Sequence, residues 1–99
     1  MKDAPRPDRL SVRLLIAGRV QGVFFRNWMI GEANRLNLDG WVRNRADGTV
    51  EAVIAGPRPG VEELAELCRQ GPAAANVTSI DRQPAPDPGA KGFTKAATA

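Results

Sequence analysis

The sequence predicts an α+β sandwich, an antiparallel sheet of four or five strands with two helices on one face. Three observations carry this prediction. Apolar periodicity switches between alternation and helical spacing in the order strand, helix, strand, strand, helix, strand, with room for a short last strand. An Asp-Gly pair, Asp47-Gly48, separates the second and third strands, as in a tight hairpin. The chain has 99 residues, 42% apolar and 25% charged, enough for a single modest core.

Each element has its own signal. Residues 1–9 hold Pro5, Pro7 and interspersed charges, so they are expected to form a flexible tail ahead of one domain over 10–99. In Leu10–Ala17, Val12, Leu14 and Ile16 face one way, while Arg13, Leu15 and Ala17 face the other, a strand with one face buried. Phe25, Met29, Ala33 and Leu36 then recur at helical spacing. Gly31 costs that helix about 1 kcal/mol relative to Ala, unless close packing needs a bare backbone. Asn37 stands where the helix ends and tolerates a left-handed cap.

Gly40 opens the second strand, Trp41–Ala46, and the third runs from Thr49 to Gly56 with Val50, Ala52 and Ile54 on one face. Gly56–Gly60 reads as a loop. Val61, Leu64, Ala65 and Cys68 place a second helix over 61–69, with Glu62 and Glu63 in its first turn and Gly71-Pro72 ending it. Residues 76–83 form a fourth strand, 84–92 a proline-rich loop, and the segment from Phe93 a short edge strand. This βαββαβ order is that of the split βαβ, ferredoxin-like sandwich. The first strand is expected at the centre, beside the strand that closes the first crossover, so the loop after it should lie near the second strand.

Composition excludes much chemistry. There is no histidine, which removes Ser-His-Asp and Cys-His catalysis and nearly every zinc site, so neither metal nor cofactor is expected. The one cysteine, Cys68, falls in an apolar helical pattern and reads as a small buried hydrophobe. No apolar run spans a bilayer and the N-terminus lacks the apolar core of a signal peptide, so a cytoplasmic protein without membrane contact is expected. Net charge is +3 with a pI near 9.8 and mean hydropathy −0.31, which suits anionic partners. Basic residues form no stripe, and the few aromatics do not sit mid-strand for base stacking, so nucleic acid is not expected as a partner.

The stretch GRVQGVFFR, residues 18–26, carries the first functional signal. Gly18 and Gly22 let the backbone curl, so that the amides of Gly18, Arg19, Val20, Gln21, Gly22, Val23 and Phe24 can turn inward as an anion site ahead of a helix N-terminus. Arg26 follows at the start of that helix, where a carboxylate such as Glu32 or Asp39 could otherwise pair with it. Asn44 is the second signal, because Asn is depleted inside strands and this one lies between Val42 and Ala46 on one face.

GRVQGVFFR followed by GWVRNRADGTVE, residues 40–51, resembles the acylphosphatase family, and the likeness extends through Gly71-Pro72, NVTSI and the segment from Phe93. The resemblance covers roughly residues 10–96. It implies an enzyme that hydrolyses acyl phosphates to a carboxylate and inorganic phosphate. It also implies that Arg26 and the 18–24 amides bind the phosphoryl group, that Asn44 orients the attacking water, and that phosphate or other anions compete. A small monomer is the corresponding expectation, with no dedicated pocket for the acyl group and therefore broad substrate tolerance. The alternative is a non-catalytic ferredoxin-like module that binds phosphorylated or carbamoylated ligands, as acylphosphatase-like domains occur within larger proteins.

The residue chemistry agrees with the resemblance. A guanidinium offers a planar fork matched to two phosphoryl oxygens. Phosphoryl transfer depends mainly on positioning and charge stabilisation. The leaving carboxylate, whose conjugate acid has a pKa of roughly 4, departs without a proton, so no general acid is needed. Asn44 is no base near neutral pH, so the water's proton is expected to pass to a phosphoryl oxygen. Departures from the family are Met29, where many members have Thr or Ser, Asn37 in place of a usual Gly, and an alanine-rich C-terminal segment.

Overall fold

Residues 8–99 are described in a computed structural model. The alternation that begins the domain becomes β1, Arg9–Arg19, longer at both ends than its apolar pattern. The tail expected over 1–9 lies outside the described residues for 1–7, and Arg9 already belongs to the fold, pairing with Pro57 across to the third strand. The remaining elements are α1 (Phe25–Arg35), β2 (Asp39–Asn44), β3 (Val50–Pro57), α2 (Arg58–Leu67), β4 (Asn76–Pro84) and β5 (Phe93–Lys95).

The sheet order is β4-β1-β3-β2-β5. β1 is an interior strand, with β3 at the centre, and its neighbours are β3 and β4, both antiparallel to it. β2, which closes the first crossover, lies one strand further out beyond β3. The inserted hairpin strand separates the two halves of a split βαβ unit. The sheet is also mixed, because β5 runs parallel to β2, Gly40 opposite Phe93 and Val42 opposite Lys95.

Both helices lie on one face, since a single cluster joins Val12, Leu14 and Ile16 of β1, Val42 of β2 and Val50, Ala52 and Ile54 of β3 with Phe25, Met29 and Ala33 of α1 and Val61 and Leu64 of α2. Each fully buried large side chain in such a cluster contributes about 1.5–3 kcal/mol. Cys68 is buried there too, and burial pushes its thiol up to about 12, which leaves it inert. Met29 is wholly buried and packs in this cluster.

Helix ends follow the chemistry of their residues. Asn37 adopts φ 56 just past α1, while its N–H donates to the Asn34 carbonyl at 3.1 Å and that of Leu38 to Ala33 at 2.9 Å. This is a Schellman closure with Asn in the left-handed position. α2 begins at Arg58, not Val61, with Pro59 in its first turn. Proline there gives up an N–H that would be unpaired anyway. Glu62 and Glu63 consequently fall past the first turn, where the dipole effect fades.

Candidate active site

The segment between β1 and α1 is held from both ends by side chains that face the core. Val20 and Val23 are buried, and Phe25 packs edge-on against Trp28 with ring centroids 5.3 Å apart. Gly18 and Arg19, expected in the anion loop, belong instead to β1 and pair with β4. A Cβ on Gly18 would stand 2.2 Å from the Asn76 carbonyl oxygen, so this glycine serves close strand approach at a register shift.

The curl itself occurs further on. Gly22 has φ 73 and Phe24 φ 65, with Val23 between them at ordinary φ. Alternating hands of this kind turn consecutive amides toward one concavity. Left-handed backbone suits Gly22 and costs Phe24 about 1–3 kcal/mol, strain of the sort that gathers at ligand sites. Phe24 is also the N-cap of α1 and supplies no side-chain hydrogen bond there. The first-turn amides of a helix have no intrahelical acceptor, so those at 25–27 could receive an anion.

These groups open onto a cavity of about 350 Å³. Val20, Gln21, Gly22 and Phe24 line it from the loop, and Phe25, Arg26 and Asn27 from the first turn of α1. Asn44 and Lys95 close it from the neighbouring strands. Gly18, Arg19 and Val23, the other members of the expected loop, do not line it. Among the described residues, none that lines it is acidic.

Arg26 is paired with no carboxylate among the described residues. The candidates for pairing are engaged elsewhere, Glu32 by Arg35 at 2.8 Å and Asp39 by Arg9 at 3.2 Å. Asn44 ends β2 rather than standing in its middle, and Ala46 is in the turn beyond. Its backbone is fixed on both sides, by pairing with Val50 and by the Ala99 N–H, which donates to its carbonyl at 3.0 Å. Among the described residues its side-chain amide has no hydrogen-bond partner, and it points into the cavity.

Two features have no local signal in the sequence. The Gln21 side chain donates to the carbonyls of Arg45 at 2.8 Å and Thr49 at 2.9 Å. One amide thus clamps the anion loop to the turn that follows Asn44, although β3 separates the parent strands. Lys95 enters the cavity because β5 pairs in parallel with β2. Among the described residues, no group of three or more His, Cys, Asp or Glu is placed to hold a metal ion.

Comparison with known proteins agrees with this geometry. The family described as Acylphosphatase matches residues 12–95. An acylphosphatase of Rhizorhabdus wittichii is 53% identical over 98 residues, covering 99% of each chain. A solved acylphosphatase from Coxiella burnetii superposes with a TM-score of 0.86 at 31% identity, covering 90% of this chain and 94% of its own. That from Bacillus subtilis gives 0.84 at 35% identity, covering 88% and 98%. The α+β sandwich with its anion loop is therefore that of a phosphoryl-handling enzyme fold. The chain belongs to the acylphosphatase family.

Proposed function

We propose that this protein hydrolyses acyl phosphates without a metal, on the cavity between the 20–24 loop and the end of β2. The activity is that of its family, and the observation that carries the assignment is the convergence of Arg26 and Asn44 on one cavity. Among the described residues, neither side chain has a partner and the cavity has no acidic wall. The loop amides from Val20 to Phe24 and the open first turn of α1 receive the phosphoryl oxygens. Arg26 clamps two of them as a bidentate fork. Asn44 holds a water at the phosphorus, its side chain free to accept or donate.

Attack forms a phosphorus–oxygen bond from water, and the bond to the acyl oxygen breaks with its electron pair leaving as carboxylate. That group needs no acid. The proton from water passes to a phosphoryl oxygen. Inorganic phosphate, the product, occupies the same cradle and competes with substrate.

The protein acts as a monomer in the cytoplasm. The only exposed large apolar side chain among the described residues is Phe24 at the cavity, so no apolar patch calls for a second copy. A single buried cysteine suits a reducing compartment. No described helix is long and apolar enough to cross a membrane.

The deciding experiment is turnover of benzoyl phosphate in the presence of a chelator. Full activity is expected. Absence of turnover, or turnover that returns only with added divalent metal, overturns the proposal.

A further inference from the structure

The phosphoryl machinery leaves part of the cavity unexplained. A phosphate has five non-hydrogen atoms, each no larger than a water molecule of ~30 Å³, so it fills less than about 150 Å³. The cavity measures about 350 Å³. Two groups on its wall have no part in the mechanism above. One is the ring of Phe24, 79% exposed, which leaves an apolar surface in water at the cavity mouth. The other is Lys95.

Lys95 is directed there by the fold. Along β5, Phe93 is buried in the core and Thr94 is exposed, so Lys95 returns to the helix-side face, opposite Val42. Asn44 lies two residues further along β2, on the face that Val42 shares. β5 is the outermost strand beyond β2, whereas the anion loop follows β1 on the other side of β3. Lys95 therefore reaches the cavity from the side opposite the loop. Among the described residues it is paired with no carboxylate, and the cavity that already holds Arg26 and a helix N-terminus gains a second full cation with no counter-charge of its own.

We propose that Lys95 reads the acyl half of the substrate and selects acyl phosphates whose acyl chain carries a second anionic group, such as the monoacyl phosphate of a dicarboxylic acid. The chain passes over the apolar mouth at Phe24, and its distal carboxylate meets the ammonium. This inference rests on the hydrolytic reading and replaces the expectation of indifference to the acyl group with a preference set by charge.

The test compares kcat/KM for succinyl phosphate, which bears a terminal carboxylate, with that for acetyl phosphate, which has none. The wild-type ratio is expected to favour succinyl phosphate by about fivefold, the scale of an ion pair open to solvent. Lys95→Gln should abolish the preference and Lys95→Glu should invert it. Raising ionic strength to about 1 M should erase it in the wild type, because screening there acts over about 3 Å. An equal fall for both substrates in Lys95→Gln would make the lysine a phosphoryl ligand and overturn the inference, as would a ratio that ignores salt. Failure of the wild type to hydrolyse either substrate would instead overturn the hydrolytic reading itself.

Discussion

At the scale of single residues, the roles proposed for Arg26 and Asn44 differ, and kinetics separates them. In the proposed reaction Arg26 meets the phosphoryl group in the ground state as well as the transition state. Arg26→Ala should therefore weaken competitive inhibition by inorganic phosphate and lower turnover together. Asn44 is proposed to hold only the water, so Asn44→Ala should lower kcat while phosphate still competes at its wild-type concentration. By analogy with lost oxyanion donors, each change should cost at least ~10²-fold in rate. A fully active Asn44→Ala enzyme would remove the water-positioning role. Gln21 adds a third case, because its side chain touches the turn rather than the substrate. Gln21→Glu keeps the shape but sets a carboxylate against two carbonyl oxygens. Its kcat should fall more than its affinity for phosphate, since the loop keeps its amides while its distance to Asn44 is no longer fixed. Phosphate inhibition and kcat measured on one preparation check this. The convergence of Arg26 and Asn44 on one cavity was legible in the sequence because each breaks a local expectation, an arginine after a glycine-bounded curl and an asparagine at a strand. Lys95 and the Gln21 side chain were not, because their roles arise from strand neighbours far apart in the chain.

At the scale of elements, every periodic segment forms the element type its spacing predicts, β2 lying two residues earlier than its pattern, and the larger differences fall where backbone chemistry is ambiguous. Gly-Pro-Arg-Pro-Gly reads as a loop, yet its second proline fits a helix's first turn, so α2 starts earlier than its apolar pattern. Gly18 reads as part of the curl, yet it serves strand packing against β4. The helix glycine is the instructive element. Gly31 lies mid-helix, is exposed, and has nothing within 4 Å of the position its Cβ would take. The allowance made for close packing thus does not apply, and the entropic cost stands without compensation. Gly31→Ala should stabilise the protein by up to about 1 kcal/mol. In a domain of this size that raises Tm by about 4–8 °C, measurable by calorimetry. An unchanged or lowered Tm would mean that α1 needs flexibility at this position.

At the scale of the whole molecule, the face of the sheet without helices determines how the fold responds to acid. Glu51 sits on central strand β3, only 5% exposed, and takes hydrogen bonds from Arg13 at 2.6 Å and Arg43 at 2.7 Å. Arg43 in turn lies over the Trp41 ring, 4.9 Å from its centroid. Burial would raise the Glu51 carboxyl, but the two guanidinium hydrogen bonds outweigh it and hold it below its ordinary range. Asp39 behaves likewise: the Gly92 N–H donates to it at 2.8 Å and Arg9 pairs with it, which ties the 85–92 loop to β2 and lowers its pKa. The sign follows from linkage. A carboxyl held low in the folded state contributes stability fully above its unfolded pKa, near 4, and loses it as pH falls through the lower folded value. Acid also neutralises the 11 carboxylates and leaves 14 lysines and arginines to repel one another. The urea midpoint should therefore be flat from pH 7 to about 5 and fall steeply below pH 4. Glu51→Gln isolates the largest single group on this face, since it leaves Arg13, Arg43 and Arg45 converging on a neutral amide. Its midpoint should lie below the wild type at pH 7, and the two curves should converge as pH approaches 2. Parallel curves that keep a constant gap to that pH would show that the loss is one of packing, and that the arginine–glutamate network does not govern acid stability.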